Sequence, residues 1–269
     1  MYTTLSLSIE NHIADLRFNR PDKANSLNQE AWDEMKSVFS TLDNDPEVRV
    51  VVLSGEGKHF CAGIDLAMLM DVGKISGVNC EGRKREKLIG IIRHLQEAVS
   101  AIEKCRKPVL AAVHNGCIGA GVDIIAACDM RYSTEDAWFT IKEIDMGMVA
   151  DLGTLQRLPK IIPDGIAREM AYTGRKVPGT EAATFGLVNR TFSDHEQMMA
   201  GVKEIAGVIA AKSPLSIRGS KEMMLYTRDH SVEESLRYMA LWNAAMLLSS
   251  DLYAAFQASV TKKSPEFEN

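Results

Sequence analysis

Two short runs, Val48 to Leu53 and Val109 to Val113, constrain the fold of this chain more than any other feature. Both are valine-rich and apolar, without the alternation that one solvated face would impose. Strands of that kind are covered on both sides, so helices must supply two further layers. The sequence provides them. Asn28 can cap a helix whose apolar stripe is Trp32, Met35, Val38, Phe39 and Leu42, and Asp45-Pro46 ends it. A longer helix is predicted over 84–103, with Leu88, Ile92, Leu95 and Val99 on one side. This alternation of strand and helix favours an α/β core over an all-helical one.

The remaining pattern fits that core. Leu5, Leu7 and Ile9 alternate with polar residues, and Ala14, Leu16 and Phe18 repeat the period after Asn11, which predicts a hairpin. Gly73, Gly77 and Gly82 punctuate a poorly patterned stretch read as a mobile connection. Short strands are predicted over 130–132 and 138–141. Beyond Asp151 the periodicity is helical, and Ser231-Val232-Glu233-Glu234 has the spacing of a capping box. The expected organisation is an α/β core over 1–190 and a helical region over 191–269.

Composition excludes several classes. With 269 residues and a formal charge of −5, the chain can bury a large core and has no general attraction to nucleic acid or anionic membrane. The five cysteines form no CxxC pair, which predicts free thiols and no disulfide framework. His59 near Cys61 lacks a second ligand pair, so no metal is expected. There is no Walker lysine motif and no nucleophile elbow. The opening residues do not read as a secretory leader, and the last five residues match none of the common address tags. The default expectation is a cytoplasmic protein.

The chemistry is read from two glycine-containing loops and three carboxylates. Asn115 to Asp123 contains Gly116, Gly119 and Gly121 where a strand gives way to a helix, so an amide near Ala120 is free to meet a negative oxygen. Ala62-Gly63-Ile64 also follows a buried strand and could offer a second amide. Two convergent donors would stabilise an enolate more strongly than the carbonyl it forms from. Asp123, Glu143 and Asp151 are the candidate proton carriers, because burial or like charge can hold a carboxylic acid protonated near neutrality. Bland readings stand beside these. Asp123 can complement a helix N-terminus, and Asp151 can cap a helix starting near Thr154. Arg20, Lys23 and Lys58 lie near the loops, where they could meet phosphate.

These segments resemble the crotonase, or enoyl-CoA hydratase/isomerase, family. The resemblance rests on Asn19 to Leu27, Phe60 to Asp65 and His114 to Asp123, and covers essentially the whole chain. Within the family, Asp123, Glu143 and Asp151 match the acidic trio of the dienoyl-CoA isomerase branch. Ordinary hydratases usually carry glutamates at the first two positions and glycine at the third. Ala150 to Lys160 and Asp229 to Leu236 also resemble that branch.

The resemblance implies a crotonase/ClpP-like α/β spiral of repeated ββα units with a C-terminal helical trimerisation region, giving a homotrimer or a dimer of trimers. It implies an acyl-CoA thioester substrate and no separate cofactor. The amides of Ile64 and Ala120 would form the oxyanion hole, with Ala120 replacing the glycine common there. Lys23, Ala24, Ala62 and Asp65 would contact coenzyme A, and the acyl chain would lie near helices around Leu69 to Leu88. The implied reaction converts 3,5-dienoyl-CoA to trans-2,trans-4-dienoyl-CoA. Hydration of a trans-2-enoyl-CoA, needing only two acids around one water, is the leading alternative. A catalytically silent acyl-CoA-binding protein on the same fold is the other.

Overall fold

A computed structural model describes residues 2–72 and 80–269. Nine strands are found among them: β1 (Leu5–Glu10), β2 (Ile13–Phe18), β3 (Val50–Gly55), β4 (Val109–Val113), β5 (Gly116–Ile118), β6 (Met130–Thr134), β7 (Trp138–Thr140), β8 (Val177–Pro178) and β9 (Arg190–Phe192). They form a six-stranded sheet of order β1-β2-β3-β4-β6-β9 and a three-stranded sheet of order β5-β7-β8. In the larger sheet only β1 and β2 run antiparallel. Their two-residue turn places Asn11 and His12 at φ 50° and 65°. Positive φ at both positions matches the right-handed strand twist.

The valine-rich strands are buried on both faces, as their composition requires. Val51, Leu53, Val109 and Ala111 face one cluster, packed by Trp32, Met35, Phe39 and Leu42 of α1 (Gln29–Asn44). After α2 (Leu66–Val72), α3 (Glu81–Lys104) adds Leu95, Val99 and Ile102 to that cluster. Asn28 caps α1 by accepting the Ala31 N–H at 3.1 Å. Gly82 lies inside α3 rather than in a connection. Residues 73–79, where the acyl-chain region was partly expected, lie outside the described residues.

Two of the parallel strands, β4 and β6, are each followed by a second, shorter strand in the smaller sheet. β4 turns at Asn115 (φ 49°), continues as β5 in the smaller sheet and enters α4 (Ala120–Ala127). That is one ββα unit, and it positions the site. Further on come α5 (Thr154–Arg157), α6 (Asp164–Thr173) and α7 (Gly179–Thr184). Then α8 (His195–Ala210) lays Met198, Val202, Ala206 and Ala210 on Val50, Val52, Leu110 and Ala112, the opposite face of the large sheet. Burying each such side chain contributes roughly 1.5–3 kcal/mol.

The last helices are α9 (Pro214–Thr227), α10 (Val232–Met246) and α11 (Ser250–Thr261). The capping box at Ser231 and Glu234 forms in full. Among the described residues no helix is long and apolar enough to cross a membrane.

Candidate active site

Two loops leaving neighbouring strands are stitched together. Phe60 N–H donates to the His114 carbonyl (3.1 Å), Cys61 N–H to that of Gly116 (3.2 Å), and Ile118 N–H to that of Cys61 (3.0 Å). On the other side, Leu27 N–H donates to the Gly63 carbonyl and Asp65 N–H to that of Leu27. The Ile64 amide therefore points away from Leu27, towards the second loop. Asn25, almost fully buried, donates through its amide to the carbonyls of Glu56 and His59, both at 2.8 Å. Its signal in the sequence was slight: one polar residue inside an ordinary turn.

Glycine is required immediately before each candidate donor. Gly63 has φ +88° and Gly119 has φ +52°, both in the region that L side chains rarely adopt. A Cβ on Gly63 would stand 2.9 Å from the Ile118 carbonyl and 3.5 Å from the Ala120 nitrogen, so the two loops meet there. Ala120 opens α4 and has no acceptor within the helix. Among the described residues neither the Ile64 nor the Ala120 N–H donates to a backbone acceptor. Two unengaged amides thus follow the glycines at the meeting of the two loops, one of them at a helix N-terminus.

The three carboxyls lie at different depths. Glu143 begins a short 3-10 turn (Glu143–Met146) and rests against Gly119, where a Cβ would be 3.2 Å from its Oε1. Asp123 lies in the first turn of α4 and is fully buried. One oxygen of each, Asp123 Oδ2 and Glu143 Oε2, is buried without a hydrogen-bond partner, leaving acceptors that a ligand could engage. Asp151 is the outermost of the three and its residue is exposed.

Electrostatics ties the three together. Burial, then the charges of Glu143 and Asp151, push the Asp123 carboxyl up to about 7 against the opposing hydrogen bonds of Thr154. Burial and the Asp151 charge raise Glu143. Burial raises Asp151. The charge of Asp151 thus acts on both inner carboxyls, and that of Glu143 on Asp123.

The cap expected from Asp151 is not its own. The N-cap of α5 is Gly153, with no side-chain cap, and the Thr154 N–H is accepted by Asp123 Oδ1 at 2.6 Å. Thr154 escaped the sequence reading because its partner lies far away along the chain. Lys23 is exposed at the end of a 3-10 turn (Pro21–Lys23), beside Ala24 at φ +51°. Ala62 N–H donates to the Ala24 carbonyl, joining that turn to the Ala62-Gly63-Ile64 loop. Asp65 caps α2 through the Ala67 N–H (3.0 Å) and pairs with Arg20 at 3.2 Å. Cys61, Cys105, Cys117 and Cys128 are buried free thiols, and Cys80 is exposed. Among the described residues no three metal-ligating side chains cluster.

The sequence family described as enoyl-CoA hydratase/isomerase matches residues 8–269. The chain belongs to that family. A relative from Arabidopsis thaliana, named Delta(3,5)-Delta(2,4)-dienoyl-CoA isomerase, peroxisomal, is 46% identical over 99% of this chain and 97% of its own length. The human protein of that name, mitochondrial, is 45% identical over 95% of this chain and 78% of its own. Among solved structures, an enoyl-CoA hydratase from Bacillus anthracis superposes with a TM-score of 0.89 at 26% identity, covering 99% of each chain. The fold of this enoyl-CoA hydratase/isomerase family member is therefore the crotonase fold that the sequence resemblance implied. The names overturn one expectation. Relatives assigned to peroxisomes and mitochondria do not support a cytoplasmic protein, because composition and missing apolar segments report on membranes and not on compartments.

Proposed function

We propose that this chain isomerises 3,5-dienoyl-CoA to trans-2,trans-4-dienoyl-CoA by moving a proton from C2 to C6. The observation that carries the reading is the Glu143 carboxyl packed against Gly119, next to two unengaged amides, with Asp123 buried in the same helix turn and raised by the charges of Glu143 and Asp151. The relatives named as dienoyl-CoA isomerases support it. Glu143, as carboxylate, removes a C2 proton; its position against Gly119 sets it beside the thioester end. The electrons spread into a conjugated dienolate whose thioester oxygen accepts the N–H groups of Ile64 and Ala120. Such a hole favours the transition state because its charge exceeds that of the starting carbonyl. Asp151, in its protonated form, delivers a proton to C6. Asp123, coupled to both, tunes the cluster and orients its neighbours.

Lys23, Ala24 and Ala62 are read as the coenzyme A side of the site, with the Lys23 ammonium available to phosphate. Asp65 supports that turn through Arg20. The region over 191–269 is read as the self-association region of a trimer. Exposed Leu236, Leu241, Phe256 and Val260 on α10 and α11 support this, since a monomer rarely leaves so many large apolar side chains in water.

Separate incubations with 3,5-dienoyl-CoA and trans-2-enoyl-CoA test the reaction. The proposal expects growth of the ultraviolet band of a conjugated 2,4-dienoyl thioester from the first and no water addition to the second. Rapid hydration of the enoyl substrate with no dienoyl isomerisation would instead assign the two inner acids to a hydratase.

A further inference from the structure

Asp151 is exposed, and among the described residues its side chain makes no hydrogen bond to another residue. Its main chain is held from behind. Gln96, Ser100 and Glu103 lie on one face of α3 at i, i+4 and i+7. Gln96 Nε2 donates to the Asp151 carbonyl at 2.7 Å. Arg157, one turn along α5, folds back and donates through Nη1 to the Leu152 carbonyl at 3.4 Å. The same guanidinium donates to Ser100 Oγ and, through Nε and Nη2, to both oxygens of Glu103, each at 3.2 Å.

Arg157 and Glu103 side chains are 13% and 18% exposed, so this pair is largely withdrawn from screening water. Glu103 is fixed further by Arg228, just beyond α9, at 2.5 Å. Gly153 is what lets the guanidinium in. It holds φ +129°, and a Cβ there would fall 1.8 Å from Arg157 Nη1. The groups line one side of a cavity of about 360 Å³ that also reaches Asp151.

We propose that Arg157 is a positioning residue for the remote proton transfer: bound by Ser100 and Glu103 of α3, it fixes the Leu152-Gly153 backbone and thereby sets the reach of Asp151. The inference rests on the reading of Asp151 as the acid at C6. It goes beyond that reading by assigning function to a half-buried ion pair outside the acidic trio and the two amides. A planar guanidinium suits the task, because it can hold a carbonyl, a hydroxyl and a carboxylate at once.

The test separates the two halves of the reaction. Deuterium uptake at C2 in heavy water reports Glu143 and the amides, whereas formation of the 2,4-dienoyl product also requires Asp151. Arg157→Met is expected to slow product formation by about 10²-fold, the scale of a displacement near 1 Å, while C2 exchange stays within about threefold. Arg157→Lys should recover part of the loss. In an Asp151→Asn background, Arg157→Met should add almost nothing, because both changes remove one function. If Arg157→Met does not fold, Glu103→Gln and Ser100→Ala carry the same test, each with an expected loss of about tenfold confined to product formation.

Unchanged product formation in these variants overturns the proposal. So does equal loss of C2 exchange and product, or a full additional loss in the Asp151→Asn background, since either marks a purely structural ion pair. Asp151→Asn measured alone keeps the underlying reading separate: full turnover in that variant sinks the acid assignment itself.

Discussion

Asp123 accepts the backbone N–H of Thr154 at 2.6 Å across 31 positions of the chain. The bond joins α4, whose first amide has no intrahelical acceptor, to the segment that carries Asp151. One oxygen of the carboxyl is used in this way, and the other is buried without a partner. Asp123 is therefore both a tie between two parts of the site and an uncomfortable charge inside it.

That discomfort has a pH signature. The carboxyl rises from its ordinary 3.8 to about 7 on folding, so the native state favours the protonated form. The stabilisation is complete below about pH 4 and is lost as pH rises through 7. Asp123→Asn keeps a carbonyl acceptor for Thr154 and carries no charge. Relative to this variant, the native protein is expected to lose up to about 4 kcal/mol between pH 4 and 8, less whatever the new amide lacks in partners. Urea unfolding of both proteins at several pH values checks it; a stability gap that does not change with pH contradicts it.

Gly119 is tested by a single methyl group. Its φ of +52° penalises any Cβ, and the added carbon would press on Glu143 Oε1 at 3.2 Å. Gly119→Ala should therefore displace the base and the Ala120 amide together. An activity loss of about 10²–10³-fold is expected, comparable to removing an oxyanion donor. C2 exchange should fall in parallel. Product formation falling while exchange holds would place Gly119 outside the first proton transfer.

Much of the architecture was readable because local chemistry and burial agree. Asn28 and Ser231 cap the helices assigned to them, and Val109 to Val113 forms β4. The three-residue strands β5 and β9 and the two-residue β8 were not recognised, because so few residues set no period. Gly82 looked like punctuation, yet it sits in the first turn of α3, where a glycine costs little. At the site, glycines following buried strands revealed both loops. The bland alternative for Asp151, a cap on α5, does not hold because the acceptor comes from α4, and nothing near Thr154 announces a partner so distant.

The proposed self-association gives a separate prediction. Leu236 and Phe256 are 64% and 68% exposed, on α10 and α11. If these faces meet neighbouring copies, Leu236→Glu with Phe256→Glu should convert a trimer to smaller species, measured by light scattering after size exclusion. A double variant that keeps the native mass would assign the apolar face elsewhere.

The most direct test of the account is Asp151→Asn with 3,5-dienoyl-CoA in heavy water, following C2 deuteration by NMR and the 2,4-dienoyl band by absorbance. A remote acid at this position predicts that deuterium still enters C2 while product formation drops by at least about 10²-fold, the lower end of the range for one acid–base group. Product formation at the native rate, or loss of both signals together, would contradict the division of labour between Glu143 and Asp151.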